Sequence, residues 1–450
     1  MPEYIEVFRV EAKSLLKNFR DNDKNAVARC RVVFGGKTDL SLMNMQHVIA
    51  KEYGFNDWNE LSKVEDWRLA EALIKAKNKN FTTPFSAWTG DGILQVEDRK
   101  WLFEARGVPM VQGAHKVIAP KKGHLDGCSL RYCDVSGIDF SDVEICKIFY
   151  NEGTNWPKDN AKLPKGDKPQ AFLEKRKNAG LGVKALHKQG VTGKGRAVAV
   201  ISDAKLADHL EYHYNVKDYE ELCYRYDNNG GSFNASMLVG NSCGVAPKAD
   251  LYYYAVSRQQ DVRGAILVDY AKALEKVCDK HQKLLAKGKA GIDAVCMPNI
   301  YWVRMENDEG YEAMKKAVAH TKELGIFIIS ASLMEDYGLY EGAIWCTNDG
   351  HPDNPADYES ILPVKDVKKS LCFPFGGMTV ADFGKMGAYC YVSAPILGRA
   401  WETGLYLLAK SVKPDLTLAE FWNIGLKTGD FKDGIGTIVN PQRLINELMK

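Results

Sequence analysis

The chain is read as an α/β protein whose core is a parallel sheet flanked by helices, preceded by a small all-α module and a β-rich middle segment. Two observations predict the core. Short apolar runs at 197–201, 250–256, 293–300, 325–332 and 388–393 are separated by amphipathic stretches, clearest at 264–287, 310–324, 400–412 and 418–427. Strands joined by helix-length connections run parallel. The runs are also apolar along their whole length (AVAVI, DLYYYAV), which is what a sheet covered on both faces requires. A third observation sets the boundaries: hydrophobic periodicity and composition change near residues 65 and 150. The expected organisation is a helical module at 1–65, a mixed segment at 66–150 and the α/β domain at 151–450, entered through a basic lead-in at 151–196.

Residues 1–65 carry helical spacing at Val7, Val10, Leu15, Leu16 and Phe19, and again at Val48, Ile49 and Tyr53. Gly54 is placed to end that second helix, and Asp57 to cap a third over DWNELSK. The string SLMNMQHVIAKEYGFNDWNEL at 41–61 resembles a short helical module that precedes ankyrin repeats and other domains in bacterial proteins. That module implies no chemistry, and His47 within it is expected to pack rather than ligate. Between 66 and 150 a helix is expected through WRLAEALIKAKNKN, then short strands and turns. Leu125, Leu130, Val135 and Phe140 recur every five residues, with Cys128, Cys133 and Ile138 as a second row. A repeat this short makes about one turn of a coil and must pack on its neighbour.

Bulk properties narrow the function classes. A formal charge of +2 over 450 residues gives no global field for nucleic acid or an acidic membrane. The basic lead-in lacks interleaved aromatics for base stacking and is read as a solvated extended segment. Eleven cysteines are scattered with no C-x-x-C pair, so neither a metal nor a disulfide framework is expected. No cofactor is expected either. The N-terminus has no apolar signal core, and no stretch reaches the roughly 18 apolar residues of a membrane span. The expected location is the cytoplasm.

Residues 190–209 read GVTGKGRAVAVISDAKLADH and residues 230–256 read GGSFNASMLVGNSCGVAPKADLYYYAV. Both resemble the subtilases, the subtilisin-like serine peptidases, over about residues 150–450. The resemblance implies a subtilisin-like sheet with a catalytic Asp after the first strand, a catalytic His opening the next helix, and a nucleophilic Ser opening a later one. Subtilase chemistry needs all three: a hydroxyl, an imidazole to take its proton, and a carboxylate to hold the imidazole's tautomer. Here the Asp position is Ser202 and the His position is Gly230, with Phe233 at the motif's second His. Asp203 adjoins the first position, but a one-residue step at a strand end turns a side chain to the opposite face.

The nucleophile's register stays open between Ile396, with Ala400 in place of the motif proline, and Tyr391, with Pro395 as that proline. Neither is a serine. Ser393 is the nearby hydroxyl, and Cys390 is a thiol with no expected imidazole partner. The amide donor that would meet an oxyanion falls on Met334. The peptide-binding edge reads CMPNI, where Pro298 removes a backbone donor beside Asn299; Ser332 and Phe233 complete the candidate groove. The resemblance therefore implies a catalytically inactive relative, a scaffold or binding module for an unidentified protein or peptide. The alternative is a serine-type endopeptidase with a rearranged site using Ser202, Ser393 or Cys390.

Overall fold

In the computed structural model the described residues are 4–64, 69, 72, 130–131, 134–222, 231–256, 266–298, 305–330, 334, 337–361, 364–382, 388–392 and 397–450. The chain divides into two compact units, Met1–Phe81 and Thr82–Lys450.

The first unit is helical: α1 (Tyr4–Arg20), α2 (Lys24–Phe34), α3 (Leu42–Glu52) and α4 (Trp58–Lys63). Each of the last three starts at a side chain that satisfies free backbone amides. Asp23 accepts from the amides of Asn25 and Ala26, Ser41 and Asn44 form a reciprocal capping box, and Asp57 accepts from Glu60. The apolar faces of Phe8, Leu15, Met45, Val48, Ile49 and Leu61 close on one core. His47 lies 5.8 Å from the Phe34 ring, a packing contact.

The second unit begins with a middle segment, described from residue 130, in which Leu130, Val135, Ile138 and Phe140 bury a small core. These belong to the five-residue rows read in the sequence; Leu125, Cys128 and Cys133 lie outside the described residues. The elements then follow as β1 (Tyr150–Asn151), α5 (Pro169–Lys175), α6 (Val183–Lys188), β2 (Ala197–Ser202), β3 (Val216–Glu221), α7 (Gly231–Val239), β4 (Asp250–Ala255) and α8 (Ile266–Leu285). After them come β5 (Ala294–Met297), α9 (Tyr311–Glu323), β6 (Phe327–Ser330), β7 (Tyr340–Cys346), β8 (Tyr358–Ser360), β9 (Ser370–Gly376), β10 (Met378–Ala381) and β11 (Tyr389–Val392). The last are α10 (Gly398–Val412), α11 (Leu418–Thr428), β12 (Asp430–Lys432), β13 (Gly436–Ile438) and α12 (Pro441–Leu448).

The central sheet has five parallel strands in the order β3-β4-β2-β5-β6. Every residue of β2 is buried. Val198 and Val200 face the core shared with α7 and α10, whereas Ala197, Ala199 and Ile201 face the core shared with α8 and α9. That two-sided burial is why the strand has no polar alternation. From β2 the chain moves to one side of the sheet, and from β5 to the other, so the order reverses between β2 and β5. A crevice at the C-terminal ends of such strands is where open α/β sheets bind ligands. The outermost described strand, β3, alternates half-buried and exposed residues. Its acids are paired: Asp218 with Lys280 at 2.6 Å, Glu220 with Lys276 at 2.7 Å, and Glu221 with Lys205 at 3.0 Å.

The run at 388–393 corrects one expectation. It forms β11, but in an antiparallel three-stranded sheet with β1 and β10, not in the parallel sheet. Tyr389 and Tyr391 pack on the middle segment's core, while Cys390 and Val392 face the main core. Burial on both faces gives the run a parallel-strand appearance without that topology. A second five-stranded sheet, β12-β13-β9-β7-β8, completes the unit.

The basic lead-in is packed rather than loose at Arg176. That side chain is buried and donates to the carbonyls of Thr347 and Asn348. Nearby Lys175 pairs with Asp167 at 3.0 Å. Among the described residues no helix is long and apolar enough to cross a membrane.

Candidate functional site

Three elements converge near the C-terminal end of β2. Ser202 ends that strand, in register with Ala255 of β4, and is fully buried. Two residues on, the Ala204 carbonyl accepts the Tyr253 hydroxyl at 2.7 Å. The start of α7 rests on the same tyrosine: a Cβ at Gly231 would stand 2.4 Å from both Tyr253 Oη and the Lys205 carbonyl. Helix α10 packs on α7. Its Gly404 lies against Val245 just past α7, where an added Cβ would come within 2.6 Å. Trp401 of α10 is fully buried and donates its indole N–H to the Ala179 carbonyl at 2.6 Å. The strand end and helix start carrying the two motif segments are thus neighbours.

The side chains there are mostly apolar. Phe233 is buried in α7, with its ring 5.8 Å from Phe149 and the Arg131 guanidinium 5.4 Å from its centroid. Met334 is buried in the same core. Pro298 is half-buried, directly after β5. Gly230, Asn299, Ser332, Ser393, Pro395 and Ile396 lie outside the described residues. Tyr391 is buried in β11, with Tyr150 and Phe172 around it and its hydroxyl donated to the Cys146 carbonyl at 3.0 Å. In this position it fills a core.

Seven of the chain's nine histidines are described, and in the second unit each of these has a ring nitrogen engaged. His209 is fully buried, and burial pulls its pKa below the ordinary histidine value, keeping the ring neutral. Its Nε2–H donates to the Ala388 carbonyl at 2.8 Å, and Nδ1 accepts the Glu211 amide at 3.1 Å. No lone pair is left to take a proton from a nucleophile. His187 bonds the Val245 carbonyl at 2.8 Å, His213 pairs with Asp208 at 2.7 Å, and His281 bonds the Ile292 carbonyl at 3.1 Å. His320 lies 2.8 Å from Glu275, and exposed His351 accepts the Asp353 amide at 3.2 Å. The Cys390 thiol is fully buried, and burial pushes its pKa well above the usual thiol range. It is a packing residue rather than a thiolate nucleophile.

Two polar clusters are missed by sequence reasoning. Glu211 is buried and gathers donors from distant parts of the chain. The Tyr389 hydroxyl at 2.6 Å and the Ser242 hydroxyl reach Oε1, and the Ser242 amide at 2.8 Å reaches Oε2. Burial alone would raise this carboxyl, but the Lys177 ammonium and these hydrogen bonds bring it below its ordinary value. Lys177 also lies 3.2 Å from the centroid of the Tyr389 ring. In the first turn of α10, Arg399 pairs with Glu341 and stands 3.6 Å from Glu402. Glu402 is fully buried. Burial pushes its carboxyl well above the ordinary carboxylate value and the Glu341 charge pushes it further. The one sequence signal for this cluster is the Arg399–Glu402 spacing on one helix face. Neither cluster joins a buried acid to a free base and a hydroxyl.

No family model matches the chain, and no curated protein matches it. Solved structures do. The chain is similar to the prenylagaramide maturation protease PagA at 16% identity and a TM-score of 0.40, covering 59% of this chain and 98% of that one. MycP1 with its N-terminal propeptide removed matches at 15% identity and a TM-score of 0.40, over 59% of this chain and 96% of that one. Fervidolysin from Fervidobacterium pennivorans, a keratinolytic enzyme related to subtilisin, matches at 14% identity and a TM-score of 0.40, over 59% of this chain and 45% of that one.

Proposed function

We propose that the chain is a catalytically inactive protein with a subtilase-like core, working in the cytoplasm as a scaffold or binding module for a protein or peptide. The observation that carries the reading is the state of the imidazoles. The described histidine nearest in sequence to the β2 motif, His209, has both ring nitrogens consumed by backbone groups and is held neutral by burial. Ser202, standing where the resemblance implies a carboxylate, is fully buried. In subtilisin, a serine nucleophile deprived of its imidazole loses on the order of 10⁶ in turnover. The cytoplasmic placement is supported by eight described cysteines that are free and buried, a state a reducing compartment preserves.

The test is hydrolysis of casein and of a mixed peptide library by the purified full chain, alongside labelling with a fluorophosphonate. The expected outcome is no turnover and no labelled serine. Ser202→Ala is expected to leave both unchanged and to shift stability by no more than about 0.5–1 kcal/mol. Turnover that disappears on fluorophosphonate labelling overturns the reading in favour of a rearranged serine endopeptidase.

A further inference from the structure

Helices α8 and α9 cover one face of the parallel sheet, with Leu274, Val277, Met314, Ala317 and Val318 between them and the strands. On this helix pair, Glu275 and Cys278 lie three residues apart on one face of α8, the spacing that brings two side chains together. His320 of α9 faces them. Its Nδ1 is 2.8 Å from Glu275 Oε2, and one ligand atom from each of the three residues lies within 4.8 Å of the others. Cys278 Sγ lies 3.4 Å from Thr321 Oγ1, and that threonine's single hydroxyl proton goes to the Ala317 carbonyl at 2.7 Å. The thiol therefore supplies the proton in its contact with Thr321, leaving the sulfur lone pairs unused.

We propose that Glu275, Cys278 and His320 form a binding site for a single zinc ion that ties α8 to α9. The donor set is one sulfur, one imidazole nitrogen and one carboxylate oxygen, a combination that suits zinc over calcium or magnesium. Tetrahedral zinc with bonds of about 2.0–2.3 Å needs ligand atoms about 3.3–3.6 Å apart. The His320–Glu275 pair must open slightly and the sulfur approach, both within reach of ordinary side-chain rotation. Three protein ligands leave the fourth position to water. Binding releases the thiol proton and any proton shared between His320 and Glu275. The cation then links the two helices through its ligands. Because Glu275 and His320 are partly exposed, an ion reaches the site without unfolding.

The experiment is titration of the full chain with cobalt(II), whose thiolate complexes absorb in the near ultraviolet. One equivalent is expected to give a thiolate-to-cobalt band that one equivalent of zinc abolishes. His320→Gln and Glu275→Gln, both changes at exposed positions, are expected to weaken cobalt binding by about 10-fold or more, and Cys278→Ser to remove the band while far-ultraviolet circular dichroism stays unchanged. Should Cys278→Ser fail to fold, the two surface variants decide alone. No band in the parent chain overturns the proposal, and so does a band that persists at full strength in His320→Gln.

Discussion

The C-terminal end of β2 and the pocket around Glu211 are opposites in polarity. The first is where the motifs imply ionisable groups, and it holds a buried serine beside a tyrosine whose proton is committed to a main-chain carbonyl. The second holds a buried carboxylate with hydroxyl and amide donors and a nearby lysine. Among the described residues, the Glu211 carboxylate is thus held by donors from distant parts of the fold. At the described motif positions, the side chains of Ser202, Phe233, Met334 and Tyr391 are buried.

The sharpest way to break this contrast is Glu211→Ala. It strands the Tyr389 and Ser242 donors in a buried site and is expected to cost about 3–5 kcal/mol in chemical denaturation. A loss under about 1 kcal/mol would make the pocket as dispensable as an exposed ion pair. The same group sets an acid limit. Its folded pKa lies below its unfolded one, so its contribution is present above about pH 4.3 and is lost as pH falls through the folded value. Next in size is Gly231→Ala, where the new methyl meets Tyr253 Oη and the Lys205 carbonyl at 2.4 Å. The expected cost is about 1–3 kcal/mol from overpacking, and a neutral result would mean the α7 start is not tightly seated on β2.

The smallest effect runs the other way. Glu402 has a folded pKa above its unfolded one, so the wild type loses stability as pH rises from about 4.3 toward the folded value. Glu402→Gln removes that cost. The variant is expected to match the wild type below about pH 4 and to exceed it by about 1 kcal/mol at pH 8, read from urea midpoints across pH. A variant less stable at pH 8 would show that Arg399 needs both carboxylates.

Much of the fold is legible because burial writes itself into local sequence. The runs that become β2, β4, β5 and β6 are apolar on both faces, and the helices α8 to α11 begin and end within a few residues of their expected limits. Run 388–393 reads as a strand of the parallel sheet and is not one, because its two faces are buried by two different cores, a fact that residue pattern does not encode. At the site, Ser202 and Phe233 are readable as the residues standing where the resemblance implies an Asp and a His. The Glu211 pocket is not. Tyr389 comes from 178 positions away, and only the closed fold brings the two together.

The outer strand β3 has a consequence for how this chain behaves in a crowd. Among the described residues no strand pairs with its outer side, and its acids Asp218, Glu220 and Glu221 are held in ion pairs. Any incoming segment would have to strip water from those charges before gaining a ladder of main-chain bonds. Strand addition at this edge is expected to carry that desolvation cost.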